Sequence, residues 1–167
     1  VDHGKSSLSS RFLELAGNQG DLDREEISLM DTLAVEQERG ITVKTSTATM
    51  LYRHPETQEP LLLNLYDTPG HVDFGREVVR TLQFVQGAVL LLDATQGIQA
   101  QTWTVHEAAQ HVKLLWALTK VDLESARPLH TALQAAEWFD CDPDAILRTS
   151  ARERIGIREL LDTVCLE

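Results

Sequence analysis

The sequence predicts an α/β domain with a mostly parallel sheet flanked by helices. Two observations carry that expectation. Short continuous apolar runs recur along the chain, as in strands buried on both faces. Between them, apolar residues fall at helical offsets. Strand and helix patterns that alternate in this way form parallel sheets through helical crossovers.

Each element is justified in turn. Leu8, Phe12 and Leu15 recur at helical spacing directly after Gly4-Lys5-Ser6, which predicts a helix opened by that tripeptide. Residues 17–44 are polar and acidic with little periodicity, and read as a long mobile loop. "STATMLY" (46–52) and "LLLNLY" (61–66) predict a pair of strands. The intervening "RHPETQEP" carries two prolines and suits a turn. "AVLLL" (88–92), "VKLLWAL" (112–118) and "AILRT" (145–149) predict three further, buried strands. Helices are predicted around Val78/Leu82/Val85, Val105/Ala109/Val112, Leu129/Leu133/Ala136 and Ile157/Leu160/Leu161/Val164. There is no internal repeat, low-complexity tract or linker, and the three tryptophans read as core or helix-face residues.

Composition narrows the function classes. A chain of 167 residues fits one domain with a real core. Fifteen Lys+Arg against 26 Asp+Glu leave a net charge of −11, which repels phosphate backbones and disfavours non-specific binding of DNA or RNA by this chain. Cys141 and Cys165 lack C-x-x-C spacing, which suits a reducing compartment and argues against a disulfide framework or a zinc site. No apolar run approaches the roughly 20 residues of a membrane span.

Gly4-Lys5-Ser6 is the tail of G-x-x-x-x-G-K-[ST], whose backbone N–H groups cradle phosphates. Lys5 would reach the β/γ-phosphates and Ser6 would ligate Mg²⁺. The tripeptide alone is a weak signal, but others follow it in order. "YDTPGH" (66–71) follows a strand pattern, so Asp67 sits at a strand's carboxyl end, where ligands of α/β sheets collect. Asp67 there can hold Mg²⁺ through water, and Gly70 lets a backbone N–H approach a γ-phosphate because it has no Cβ. "TKVD" (119–122) follows another strand pattern. Asp122 offers two acceptors that match the N1–H and 2-amino group of guanine, while adenine presents the wrong pattern. Lys120 can lay its stem along the base, and "TSAR" (149–152) can give a backbone N–H to the guanine oxygen. Thr42 in "ERGITVK" (38–44) is the candidate to close over Mg²⁺ and the γ-phosphate. Together these elements predict a guanine-nucleotide site.

One similarity is set aside. His106 and His111 resemble the H-E-x-x-H metal motif but are five apart, about 500° of helix, which leaves them roughly 140° from one face. They read as two solvated helix residues.

"VDHGKSSL", "ERGITVK", "LLNLYDTPGHVDF" and "GIQAQT" resemble the G domain of translational GTPases over nearly the whole chain. "DTPGHVDF" is shared with elongation factor G and its relatives. Ile98-Gln99-Ala100-Gln101-Thr102, Lys44 and the short first switch are similar to the elongation factor 4 (LepA) type, in its organellar branch. The resemblance implies a P-loop NTPase fold, GTP hydrolysis to GDP and phosphate, a Mg²⁺ ion with the nucleotide, and action on a ribosome. It implies that Asp2, His3, Gly4, Lys5, Ser6 and Ser7 form the phosphate loop, with Ser6, Thr42 and Asp67 at Mg²⁺. Asp67, Thr68, Pro69, Gly70 and His71 match the second switch, and His71 the residue that positions the attacking water. Val1 and Ile41 match the apolar gate around that water. Thr119, Lys120 and Asp122 match the guanine-specificity motif, and Ser150-Ala151 its last element.

Two departures stand out. Thr119 occupies a position where the family has Asn, which shortens the reach toward the phosphate loop and lowers the expected nucleotide affinity. Gln37 replaces an Arg in the family's E-R-E-R-G. The resemblance also implies that residues 1–167 are an N-terminally truncated G domain. A central strand is expected before residue 1, and later domains, including the RNA-contacting ones, after residue 167. Such a piece is expected to fold poorly alone, since buried backbone groups without partners cost about 1–3 kcal/mol each. The acidic charge is then compatible with ribosomal RNA and protein partners for the full-length molecule. The implied address is mitochondrial, on the matrix side of the inner membrane with peripheral association, or cytoplasmic for a bacterial protein. The competing readings are another translational GTPase related to elongation factor G, and a non-hydrolysing guanine-nucleotide-binding module from a decayed gene copy.

Overall fold

The computed structural model describes residues 4–17, 46–68 and 75–167. The long loop predicted over 17–44 therefore lies, past Gly17, outside the described residues. Helix α1 (Lys5–Gly17) starts immediately after Gly4, whose φ of +80° turns the chain into it. Its apolar stripe is the predicted one, with Leu8 and Phe12 buried and Leu15 packed at the edge of the same cluster.

Strands β1 (Ser46–Arg53) and β2 (Pro60–Asp67) pair antiparallel, with Arg53 opposite Pro60 and Ser46 opposite Asp67. Strict alternation gives the hairpin one dry face. Ala48, Met50 and Tyr52 point inward, while Thr49 donates its hydroxyl to Asn64 Oδ1 on the outer face at 2.8 Å. The Tyr52 hydroxyl, buried with its ring, donates to Asp162 Oδ1 at 2.6 Å.

A second sheet, parallel, orders β3 (Gly87–Asp93), β4 (Lys113–Thr119) and β5 (Leu147–Arg148) side by side. Helices α2 (Gly75–Leu82), α3 (Ala100–Ala108), α4 (Pro128–Phe139) and α5 (Ile157–Leu166) make up the rest. Val89, Leu91, Ala117 and Leu147 face α1 and α5, joining Leu8, Phe12, Leu160 and Leu161. Leu92 and Leu118 face the other way, onto Ala132 and Ala135 of α4. Covering on both sides explains why these strands read as unbroken apolar runs.

Four expectations need correcting. Strand β5 holds two residues rather than the five of "AILRT", because Pro143–Ala145 form a 3₁₀ turn that Asp142 caps by accepting from Asp144 N–H at 2.9 Å. Helices α2 and α3 end at Leu82 and Ala108, so Val85 and Val112 lie beyond them. On α4 the buried face is Thr131, Ala132 and Ala135, and Leu129 and Leu133 are 63 % and 53 % exposed. The small residues let α4 lie close on the sheet, and their face wins over the larger leucines. Finally, His106 and His111 are not two solvated helix residues, although, as expected, they form no H-E-x-x-H pair. His106 stacks on Phe139 (4.6 Å between centroids) and Trp116 (5.6 Å), whereas His111 lies past the end of α3 with a ring nitrogen 3.2 Å from the Leu82 carbonyl.

Candidate guanine-nucleotide site

The carboxyl ends of β4 and β5 and the start of α1 converge on a cavity of about 250 Å³, close to the lower end of small-ligand clefts. Gly4, Ser7, Thr119, Lys120, Asp122, Ser150 and Ala151 line it together with Leu8, Leu123, Thr149 and Arg152. These residues come from three distant stretches of the chain. The parallel sheet brings them together because its strands all deliver their carboxyl ends to one edge.

The loops around the cavity are tied to the sheet by backbone hydrogen bonds. Ala94 N–H donates to the Thr119 carbonyl at 3.0 Å, Thr149 N–H to the Leu118 carbonyl at 2.7 Å, and Val121 N–H to the Thr149 carbonyl at 3.3 Å. The Thr149 hydroxyl donates to that same Leu118 carbonyl at 2.7 Å. Lys120 takes a left-handed φ of 58°, which turns the chain from β4 into the loop that carries Asp122. Among the described residues nothing hydrogen-bonds the Asp122 carboxylate, so both its oxygens remain available as acceptors at the cavity wall.

The last element of the site is shaped by a small bridge. Ser150 and Ile155 exchange N–H···O bonds of 3.0 Å each. Ser150 N–H is thereby used, and the adjacent Ala151 lies in the cavity wall. Gly156 closes this loop at φ 65°, and a Cβ there would run into the Arg148 carbonyl oxygen, so only glycine fits.

Two residues of the site were not anticipated. Arg11, on α1, donates from Nε to the Ala151 carbonyl at 2.7 Å across 140 positions of sequence. It links α1 to the loop after β5 that lines the cavity, and its NH1 is held by Glu14 at 2.7 Å. Asp93, at the carboxyl end of β3, pairs with Lys120 Nζ at 2.9 Å. Its position is a readable signal, since Asp67, Thr119 and Ser150 each stand at the end of a strand pattern, and "AVLLLD" places Asp93 likewise. Burial pushes the Asp93 carboxyl upward, but donation from the Thr95 hydroxyl, Lys120 and the Thr95 amide outweighs it and holds the group below the ordinary carboxylate value.

The phosphate side is described in part. Lys5 and Ser6 occupy the first turn of α1, where a helix start favours anions. Asp67 ends β2 and is 4 % exposed, and Thr68 follows it. Asp2, His3, Thr42, Pro69, Gly70 and His71, with Val1 and Ile41, lie outside the described residues. Cys141 and Cys165 are free thiols, each pushed above its ordinary value chiefly by burial, with nearby aspartates adding to it. No helix among the described residues is long and apolar enough to cross a membrane.

Residues 1–166 match the family described as the elongation factor Tu GTP binding domain. The chain is 46 % identical over 166 residues to a mitochondrial translation factor GUF1 homolog of Phytophthora infestans, and 47 % identical over 169 residues to one of Trichoplax adhaerens. It is 41 % identical over 168 residues to elongation factor 4 of a Hydrogenobaculum species. Each alignment covers 98 % of this chain, which spans 25 %, 25 % and 28 % of those relatives' lengths respectively. Two solved structures share the fold at lower identity. The bacterial selenocysteine-specific elongation factor EF-Sec superposes with a TM-score of 0.74 at 23 % identity, over 98 % of this chain and 26 % of that one. SelB of Methanococcus maripaludis, in complex with the GTP analogue GppNHp, gives 0.70 at 21 %, over 99 % and 32 %. The chain therefore belongs to the elongation factor Tu GTP binding domain family, and its similarity within that family runs to elongation factor 4 and the mitochondrial GUF1 proteins.

Proposed function

We propose that the intact protein is a ribosome-dependent GTPase of elongation factor 4 type, which hydrolyses GTP to GDP and phosphate in support of mitochondrial protein synthesis. The observation that carries the reading is the convergence of Gly4, Lys120, Asp122, Ser150 and Ala151 on one cavity. Motif residues scattered by chance would not share a wall.

In this reading Asp122 accepts from the N1–H and 2-amino group of guanine, Ala151 N–H meets the guanine oxygen, and the Lys120 stem covers the ring. Lys5 and the amides of the first turn of α1, among them Ser6 and Ser7, hold the phosphates. Mg²⁺ fits the donor set, because the Ser6 hydroxyl and the Asp67 carboxylate are hard oxygen donors and Thr42 supplies a third. Bound with the nucleotide, the ion neutralises charge on the phosphate oxygens. His71 orients the attacking water, and Asp2, His3, Thr68, Pro69 and Gly70 complete the phosphate cradle. The relatives named as mitochondrial support a mitochondrial address, and the reading puts the protein on the matrix side of the inner membrane with the ribosome as its partner.

A second reading keeps one observation. The Thr119 hydroxyl donates into the sheet, to the Leu92 carbonyl at 3.4 Å, where an Asn amide would reach further. That departure from the family's Asn motivates the alternative of a guanine-nucleotide-binding module without turnover. Competition binding on the intact protein tests the site itself. GTP and GDP are expected to exclude a labelled guanine nucleotide at least about 10³-fold better than ATP. Competition by ATP within tenfold of GTP would remove the guanine reading.

A further inference from the structure

Asp93 is fully buried, at 0 % exposure, yet it lies next to the nucleotide cavity rather than in its wall. A buried carboxylate must be paired and hydrogen-bonded to be tolerated. Here Oδ1 accepts from the Thr95 N–H at 2.8 Å and from the Thr95 hydroxyl at 2.6 Å, while Oδ2 meets Lys120 Nζ at 2.9 Å. Thr95 thus holds the carboxylate in one orientation, and the carboxylate holds the ammonium. Lys120 needs such an anchor. Its backbone is left-handed at φ 58°, its side chain is 29 % exposed, and the residue lines the cavity. A lysine of that kind surrenders much rotamer freedom when it is ordered.

We propose that Asp93 is a positioning residue for guanine recognition, which fixes the Lys120 stem as a preformed platform for the base before the nucleotide arrives. The ordering cost is then met in folding rather than in binding. The proposal rests on the guanine-nucleotide reading of the cavity. It makes Asp93 a determinant of base affinity and not of the phosphate chemistry, so both nucleotides are affected alike.

The test measures dissociation constants for GDP and GTP on the intact protein carrying Asp93→Asn, Lys120→Met or both. Asp93→Asn is expected to weaken GDP and GTP by the same factor, about tenfold, and to raise KM while kcat changes less than twofold. In the Lys120→Met background the same substitution is expected to cost nothing further, because no ammonium remains to be held. A loss as large in that background, or no loss in either, overturns the proposal. Thr95→Val leaves the carboxylate in place and serves if Asp93→Asn fails to fold. It is expected to weaken both nucleotides about threefold, again only when Lys120 is present, and any other pattern counts against the role. Absence of guanine-nucleotide binding by the unaltered protein overturns the site reading as well, whereas normal binding with uncoupled variants overturns the positioning role alone.

Discussion

Asp122→Asn in the intact protein is expected to weaken GTP binding about 10³-fold and to create a preference for xanthosine triphosphate. The argument is one of donors and acceptors. An ionised Asp presents acceptors only, and guanine offers two donors on one edge, N1–H and the 2-amino group. An Asn presents one acceptor and one NH₂. The N1–H is still satisfied, but two NH₂ groups now face each other. Hydrogen bonds to a charged group contribute about 1.5–3 kcal/mol, and an unmatched buried donor costs about 1–3 kcal/mol more. The sum is near 4 kcal/mol, or three decades. Xanthine carries a carbonyl in place of the 2-amino group and restores both bonds to the amide. Titration of GTP and XTP against both proteins measures the exchange. Equal loss of both nucleotides would show that Asp122 acts on the loop and not on the base.

The second large effect is expected at His71, in "DTPGH" directly after β2. Phosphoryl transfer asks the protein for an oriented nucleophile and charge stabilisation more than for covalent help. If His71 places the attacking water, His71→Ala removes an interaction made in the transition state and leaves ground-state binding alone. Ribosome-stimulated kcat is then expected to fall about 10²–10⁴-fold with KM for GTP held within twofold. Single-turnover hydrolysis on saturated ribosomes reads this directly. A loss below threefold, or a loss confined to KM, would take His71 away from the chemistry.

The shared cavity lining of the candidate site is legible in the sequence, and the reason is local. Lys120, Asp122, Ser150 and Ala151 each follow a strand pattern, and a parallel sheet sends every strand's carboxyl end to the same edge. A short motif at a strand end thus carries its own three-dimensional address. Arg11 had no such address. Its bond to the Ala151 carbonyl spans 140 positions, and only the packing of α1 beside the base loop creates it. Asp93 stands between these cases. Its strand-end position was visible, but a carboxylate there acquires a meaning only when Lys120 is seen 2.9 Å away.

The same distinction runs through the fold. Apolar runs identify β3 and β4 because both faces of those strands are covered, whereas the hairpin, with one dry face, is marked by its two strand-like stretches and the proline-bearing turn between them. Periodicity misjudged α4, where Leu129 and Leu133 fit the template and still point outward. Helical spacing says which residues share a face, not which face is nearest the sheet. The close approach permitted by Ala132 and Ala135 decided that. Strand β5 failed for a chemical reason, since Pro143 and the Asp142 cap commit the preceding residues to a turn.

The measurement that bears most directly on the central claim is GTP turnover by the intact protein, with and without mitochondrial ribosomes. The account expects slow hydrolysis alone and stimulation of about 10²-fold or more on the ribosome, since the chemistry awaits an oriented water. Measurable GTP binding with no stimulation would contradict it. That result would leave a guanine-nucleotide module whose departure at Thr119 is the first residue to revert to Asn.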